Sequence, residues 1–129
     1  MKAAGPAALL GAALAACGAD PQKSDTGAAG DALPQPISDD PLCDGAPVLT
    51  WDSWGQGFMV ESCQACHAST SVDRRGAPEG THFDTREATL AAADRVLARA
   101  TGDAPSMPPM GGVLDEDRER LLIWLTCWE

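Results

Sequence analysis

The sequence predicts an all-α fold. Three stretches place apolar residues at helical spacing, with cap or stop residues at their ends, and no stretch alternates apolar and polar residues as a half-buried strand does. The chain has 129 residues and a formal net charge of −10. Up to residue 42 it is dominated by Ala, Gly, Pro, Asp and Ser, which leaves 43–129 as one candidate domain. A domain of that size buries only about 60–65% of its unfolded surface, and such domains lean on a disulfide, a metal or a cofactor.

Residues 1–16 read as a signal peptide. Lys2 supplies a positive charge, and Ala3 to Ala16 is apolar and uncharged. That run is too short to span a bilayer, which needs roughly 20 apolar residues. It ends in Leu14-Ala15-Ala16-Cys17, which resembles a bacterial lipobox. The resemblance implies that Cys17 becomes the first mature residue and carries acyl chains. The competing reading is an ordinary signal peptide cut near Ala16, with Cys17 incidental. Residues 17–42 then form the lipidated cysteine and a flexible linker, because they contain too few large apolar residues to order themselves. A coil of that length spans roughly 25–30 Å.

Within 43–129, the first helix is expected from Thr50 as N-cap. Trp51, Trp54 and Phe58 follow at helical spacing, with Met59 and Val60 nearby. Gly55 and Gly57 weaken its propensity and suggest the close approach of another helix. A second helix is expected after Asp84 as N-cap, with Glu87 in an acidic capping box and Phe83 stapled onto Ala88. Leu90, Ala91, Val96 and Leu97 form its apolar stripe, and Gly102 stops it. The third begins near Asp115, where acidic residues suit the helix dipole. Leu121, Leu122, Trp124, Leu125 and Trp128 give it a broad apolar face.

Cys63-Gln64-Ala65-Cys66-His67 reads C-x-x-C-H, the attachment signal of c-type haem. Cysteines three apart on a helical turn face the same side and can each add to a porphyrin vinyl group. His67 then points its imidazole at the iron. Zinc is the main competitor, but no second C-x-x-C and no H-x-x-x-H completes a zinc site. A thioredoxin-like pair would need a βαβ context, which is absent from the pattern.

From Thr50 to Trp128 the chain resembles the class I cytochrome c family. The order is the same: a helix, C-x-x-C-H, a middle helix, a methionine on a proline loop, and a terminal helix that packs across the first. The loop reads Pro105-Ser106-Met107-Pro108-Pro109-Met110-Gly111-Gly112 and resembles the M-P-P loop of small bacterial members. The resemblance implies a cytochrome c-like fold with three main helices around one covalent haem c, and it makes Met107 the distal iron ligand opposite His67. Pro108 restricts Met107 to an extended conformation and stiffens the loop. Met110, in the same loop beside Gly111-Gly112, is the alternative ligand. His82 is the only other histidine; it reads better as a loop residue bonded to a propionate or to backbone. Met59 reads as core filler.

The resemblance also bears on the remaining residues. Cys43 precedes the first helix and Cys127 lies near the end of the last, so crossed helices would let them pair in an exported protein. This pair is not part of the general family pattern and rests on the cysteine count. Trp51, Trp54, Trp124 and Trp128 would fill the helix crossing, which Gly55 and Gly57 would let close. Gly76-Ala77-Pro78 resembles the loop where a proline carbonyl accepts the N–H of the histidine ligand, which nominates the Pro78 carbonyl as the acceptor that orients His67. Arg74, Arg75 and Arg86 face propionates or solvent, with solvent the default.

The expected function is electron transfer by a membrane-tethered monohaem cytochrome with His/Met ligation, and not catalysis, because both axial positions are filled. The alternatives are a haem peroxidase or gas or redox sensor with a labile distal ligand, and a non-redox metal-binding lipoprotein. The expected location is the cell envelope or periplasm, lipid-anchored to a membrane. The negative charge argues against nucleic acid. It suits redox partners with a basic docking patch, or simply keeps the protein soluble.

Overall fold

The computed structural model describes residues 34–129. The expected signal peptide at 1–16, the lipidated Cys17 and the linker up to residue 33 lie outside the described residues. The described residues fall within one compact unit, contain helices and no strand, and include no helix long and apolar enough to cross a membrane. The all-α expectation therefore holds.

The first helical segment starts where Thr50 predicts. The Thr50 hydroxyl accepts the Ser53 N–H at 3.1 Å, and Ser53 Oγ accepts the Thr50 N–H at 2.9 Å. This reciprocal cap satisfies donors that a helix start otherwise leaves unpaired. The opening turn, Trp51–Gly55, is wide: the Trp54 and Gly55 N–H groups both reach the Thr50 carbonyl. It runs directly into α1, Gln56–Ser62. A single turn, α2, covers Gln64–His67.

The middle helix departs from expectation in two ways. Its N-cap is Thr85, whose hydroxyl accepts the Ala88 N–H at 3.2 Å. Asp84 instead accepts the Ser69 N–H with both carboxylate oxygens, at 3.1 and 2.9 Å, and so ties the chain after α2 to this helix start. The helix is also broken into α3, Arg86–Leu90, and α4, Ala93–Ala100. Buried Thr89 donates its hydroxyl back to the Thr85 carbonyl at 2.9 Å, a bond that competes with the backbone ladder and bends helices.

The last helix, α5, spans Asp115–Cys127 and begins with the three acids read from the sequence. Its Trp124 is fully buried and lies 6.1 Å from Trp51 and 6.0 Å from Trp54, ring centre to ring centre. A Cβ on Gly55 would come within 2.5 Å of the Trp124 ring. Only glycine permits that approach. Gly57 plays no such part, because a Cβ there meets nothing within 4 Å. Phe58, Met59, Phe83, Val96, Leu121 and Leu125 complete the main core around Trp124.

A second cluster joins Cys43, Ile123 and Cys127. Cys43 and Cys127 are disulfide-bonded with Cα atoms 5.5 Å apart, which bears out the expected pair. The bridge closes a sequence separation of 84 residues, worth up to about 4–5 kcal/mol on the chain-entropy account. The domain also starts earlier than residue 43. Ile37 donates its N–H to the Cys127 carbonyl at 2.8 Å, and Asp40 caps the turn Pro41–Cys43.

Glu129 gathers the helix ends. Its side chain is 4% exposed and pairs with Arg86. It also accepts the Trp51 N–H at 3.1 Å and the Trp124 indole N–H at 3.2 Å. Arg86 is thus engaged in an ion pair and not simply solvated. Burial pushes the Glu129 carboxyl up, but the hydrogen bonds from Arg86, Trp124 and Trp51 outweigh it and hold the pKa below the ordinary value.

Two predictions follow from these contacts. Gly55→Ala should destabilise the domain by about 1–3 kcal/mol through overpacking, whereas Gly57→Ala should be neutral or gain up to about 1 kcal/mol of helix propensity; paired thermal melts measure both. A carboxylate with a lowered folded pKa stabilises above its unfolded pKa, and the gain is lost as pH falls through the folded value. Glu129→Gln should therefore melt earlier than the parent at pH 7, and the gap should close as pH falls below about 4.

Candidate functional site

The C-x-x-C-H turn sits where α1 gives way to α2. Cys63 closes α1 by donating its N–H to the Met59 carbonyl at 3.0 Å. The Cys63 carbonyl then accepts the Cys66 and His67 N–H groups at 3.2 and 3.0 Å. This turn brings Cys63, Cys66 and His67 to the lining of one cavity of about 700 Å³. That volume lies in the usual range for small-molecule and cofactor pockets, roughly 300–1,000 Å³. Apolar side chains, among them Phe58, Phe83, Val96 and Val113, supply much of the rest of the lining.

His67 is held on two sides. Its Nδ1 lies 3.2 Å from the Thr81 carbonyl, and its ring stacks on Phe83 with centroids 4.8 Å apart. A carbonyl can only accept, so Nδ1 is the donor in this pairing, and in the neutral ring the lone pair then lies on Nε2. Such a bond to the far nitrogen sets both the tautomer and the ring orientation of a metal-binding histidine. Phe83 is fixed in turn: its N–H donates to the His67 carbonyl at 2.8 Å, and its carbonyl accepts from Gln64 Nε2 at 2.7 Å.

The acceptor for His67 is therefore Thr81, not Pro78. The Pro78 carbonyl already accepts from Arg74 Nη2 at 2.7 Å and from the Thr81 N–H at 3.0 Å. Pro78 does line the cavity, and it supports His67 only through Thr81. Arg74 is not a solvated charge either. Its guanidinium donates to the carbonyls of Ala68 at 2.8 Å, Pro78 at 2.7 Å, Thr81 at 3.0 Å and Ala77 at 3.4 Å. It organises the whole loop beside His67. Arg75 is exposed and pairs with Asp73.

Met107 lines the same cavity and packs against the main core. Its N–H donates to the Arg99 carbonyl at 2.9 Å, and its own carbonyl accepts from Arg118 Nη1 at 2.8 Å. Met110 also lines the cavity but is 80% exposed. His82 is not among the lining residues, and Met59 is fully buried in the core as expected. Between the two loop methionines, Met107 is the one the backbone fixes.

Arg118 was not singled out by the sequence. Its Nη1 bridges the carbonyls of Ala100 at 2.6 Å and Met107 at 2.8 Å, linking α5 to the end of α4 and to the methionine loop. In sequence it is one charge among the acids and bases that open α5. An arginine turned inward at a helix start, below a proline loop, is the only available signal.

Burial pushes the Cys63 thiol up to about 12. A thiol so shifted is neutral at pH 7 and poorly suited to serve as a bare thiolate ligand. Among the described residues, no group of three or more His, Cys, Asp or Glu side chains could hold a metal ion. A tetrahedral zinc site needs four protein ligands in most structural cases. One imidazole with a free Nε2, one thioether and two thiols suit instead a metal that arrives with most of its ligands, inside a large apolar group. Comparison with known protein families, characterised proteins and solved structures gives no match.

Arg118→Ala should cost about 1–3 kcal/mol, because it leaves two carbonyls without their charged donor. The loss should appear as faster amide hydrogen exchange at Ser106 and Met107, whose N–H groups share the Arg99 carbonyl. Exchange in α1 should change little.

Proposed function

We propose that this chain is an electron carrier: a class I-like, single-haem c-type cytochrome, exported and tethered to a membrane through Cys17. One observation carries the reading. The C-x-x-C-H turn and Met107 line the same large, mainly apolar cavity, with the Nε2 of His67 free. In this reading Cys63 and Cys66 would hold the porphyrin covalently, and His67 and Met107 would supply the protein's ligands to its iron.

When bound, the haem supplies the one-electron iron couple. The chain's own residues do the rest. Thr81 and Phe83 orient the imidazole, and Thr81 raises its basicity by accepting the Nδ1 proton. Arg118 and the Arg99 carbonyl hold Met107 in place from both sides of its backbone. A thioether ligand favours the reduced state relative to a second histidine and so raises the potential. Phe58, Val96 and Ala100 keep water from that part of the cavity. If the protein supplied both imidazole and thioether, no coordination position would be left for a substrate, which favours a carrier over a peroxidase or gas sensor.

The test is a visible spectrum of the protein from a haem-attaching host, oxidised and then reduced. The proposal expects a sharp c-type reduced spectrum and a weak sulfur-to-iron band when oxidised. Met107→Ala should keep the haem, lose that band and lower the potential, while Met110→Ala should keep all three properties. Haem bands without the sulfur band, with rapid binding of carbon monoxide by the reduced protein, would favour the sensor or peroxidase reading. A colourless product would remove the haem reading altogether.

A further inference from the structure

We propose that the redox partner docks on a cationic rim around the cavity and presents an acidic patch to it. This rests on the haem reading above. It also reverses the sign of partner that the net charge alone suggests.

The cations of the described residues are seven arginines, since both lysines lie before residue 34. Five of them, Arg74, Arg75, Arg95, Arg99 and Arg118, line the one cavity. The other two are neutralised: Arg86 pairs with Glu129, and Arg120 pairs with Glu116 and Asp117. The acids are distributed in the opposite way. Of the 16 Asp and Glu among the described residues, only Asp73 lines the cavity, where it pairs with Arg75. Asp94, on α4 beside the arginines, is not among the lining residues.

Arg95 and Arg99 carry the argument furthest. They lie one turn apart on α4, are both exposed, and both line the cavity, which places them at its rim. Like charges at that spacing repel along a helix. Among the described residues neither side chain has a hydrogen bond or an ion pair. A chain so rich in carboxylates nonetheless leaves two neighbouring guanidiniums without a partner at the edge of its cavity. Haem would bring two carboxylates of its own, and the five guanidiniums outnumber those together with Asp73. The lining itself therefore keeps a positive balance.

Screening decides which charge a partner feels. At physiological ionic strength the Debye length is about 8 Å. A partner in contact with the rim responds most to the charges within that distance, and those on the lining are five arginines and one aspartate. The net charge of −10 acts only at longer range and lower salt.

Small inorganic oxidants test this without knowing the partner. One electron passes from the reduced holoprotein to either anionic hexacyanoferrate(III) or cationic tris(phenanthroline)cobalt(III). Stopped-flow rates would be followed from roughly 0.05 to 0.5 M ionic strength. The rim predicts that the rate with the anion falls as salt rises, by several-fold to about 10-fold, and that the rate with the cation does not. The double variant Arg95→Gln, Arg99→Gln should flatten the salt response to the anion. Potentials measured on each protein separate docking from driving force. If the rate with the anion instead rises with salt and that with the cation falls, the net charge governs and the docking face is overturned, with the haem reading intact. A product without haem bands removes both.

Discussion

The contact of Gly55 with Trp124 is the constraint on which the rest of the domain depends. A fully buried tryptophan on α5 sits where any side chain on Gly55 would collide with it. That approach sets how closely the first helical segment and α5 pack. Trp51 and Trp54 then close on the same indole, and Glu129 fastens its N–H to the start of the first segment. α1 runs directly from this contact to its C-cap Cys63, so the helix that leads into the C-x-x-C-H turn is placed by packing away from it. The disulfide between Cys43 and Cys127 ties the turn that precedes the first segment to the end of α5, outside the main core. In a domain this small such supports matter, because burial alone leaves a thin margin.

The site itself is built largely by loops, and loops need partners for their backbone groups. Two arginines meet that need. Arg74 collects four carbonyls beside His67, and Arg118 bridges the end of α4 and the methionine loop. Charge-assisted bonds of this kind are stronger than neutral ones and geometrically specific. Irregular backbone on both sides of the cavity is thereby held without a strand. The remaining lining arginines are Arg75, which pairs with Asp73, and the exposed Arg95 and Arg99 on α4.

Much of this was legible in the sequence because it depends on local spacing. The Thr50 cap, the start of α5, the apolar faces and the C-x-x-C-H turn are all patterns within a few residues. The pairing of Cys43 with Cys127 followed from counting. What escaped were choices between near neighbours and long-range contacts. Asp84 and Thr85 are both good caps, and only the distant Ser69 N–H decides that Asp84 is engaged elsewhere. Gly55 and Gly57 look alike, yet only one faces Trp124. Pro78 was nominated where Thr81 accepts from His67, because the loop geometry depends on Arg74, which reads in sequence as a surface charge. Arg118 escaped for the same reason.

On the function proposed here, Cys63 and Cys66 hold a haem covalently. The most direct test is the intact mass of the protein made in a haem-attaching host, measured after acid–organic extraction that strips any non-covalent haem. The account predicts a mass increased by one haem, and no increase when both Cys63 and Cys66 are replaced by alanine. A parent protein at the mass of the bare chain, with haem absent or wholly in the extract, would contradict it.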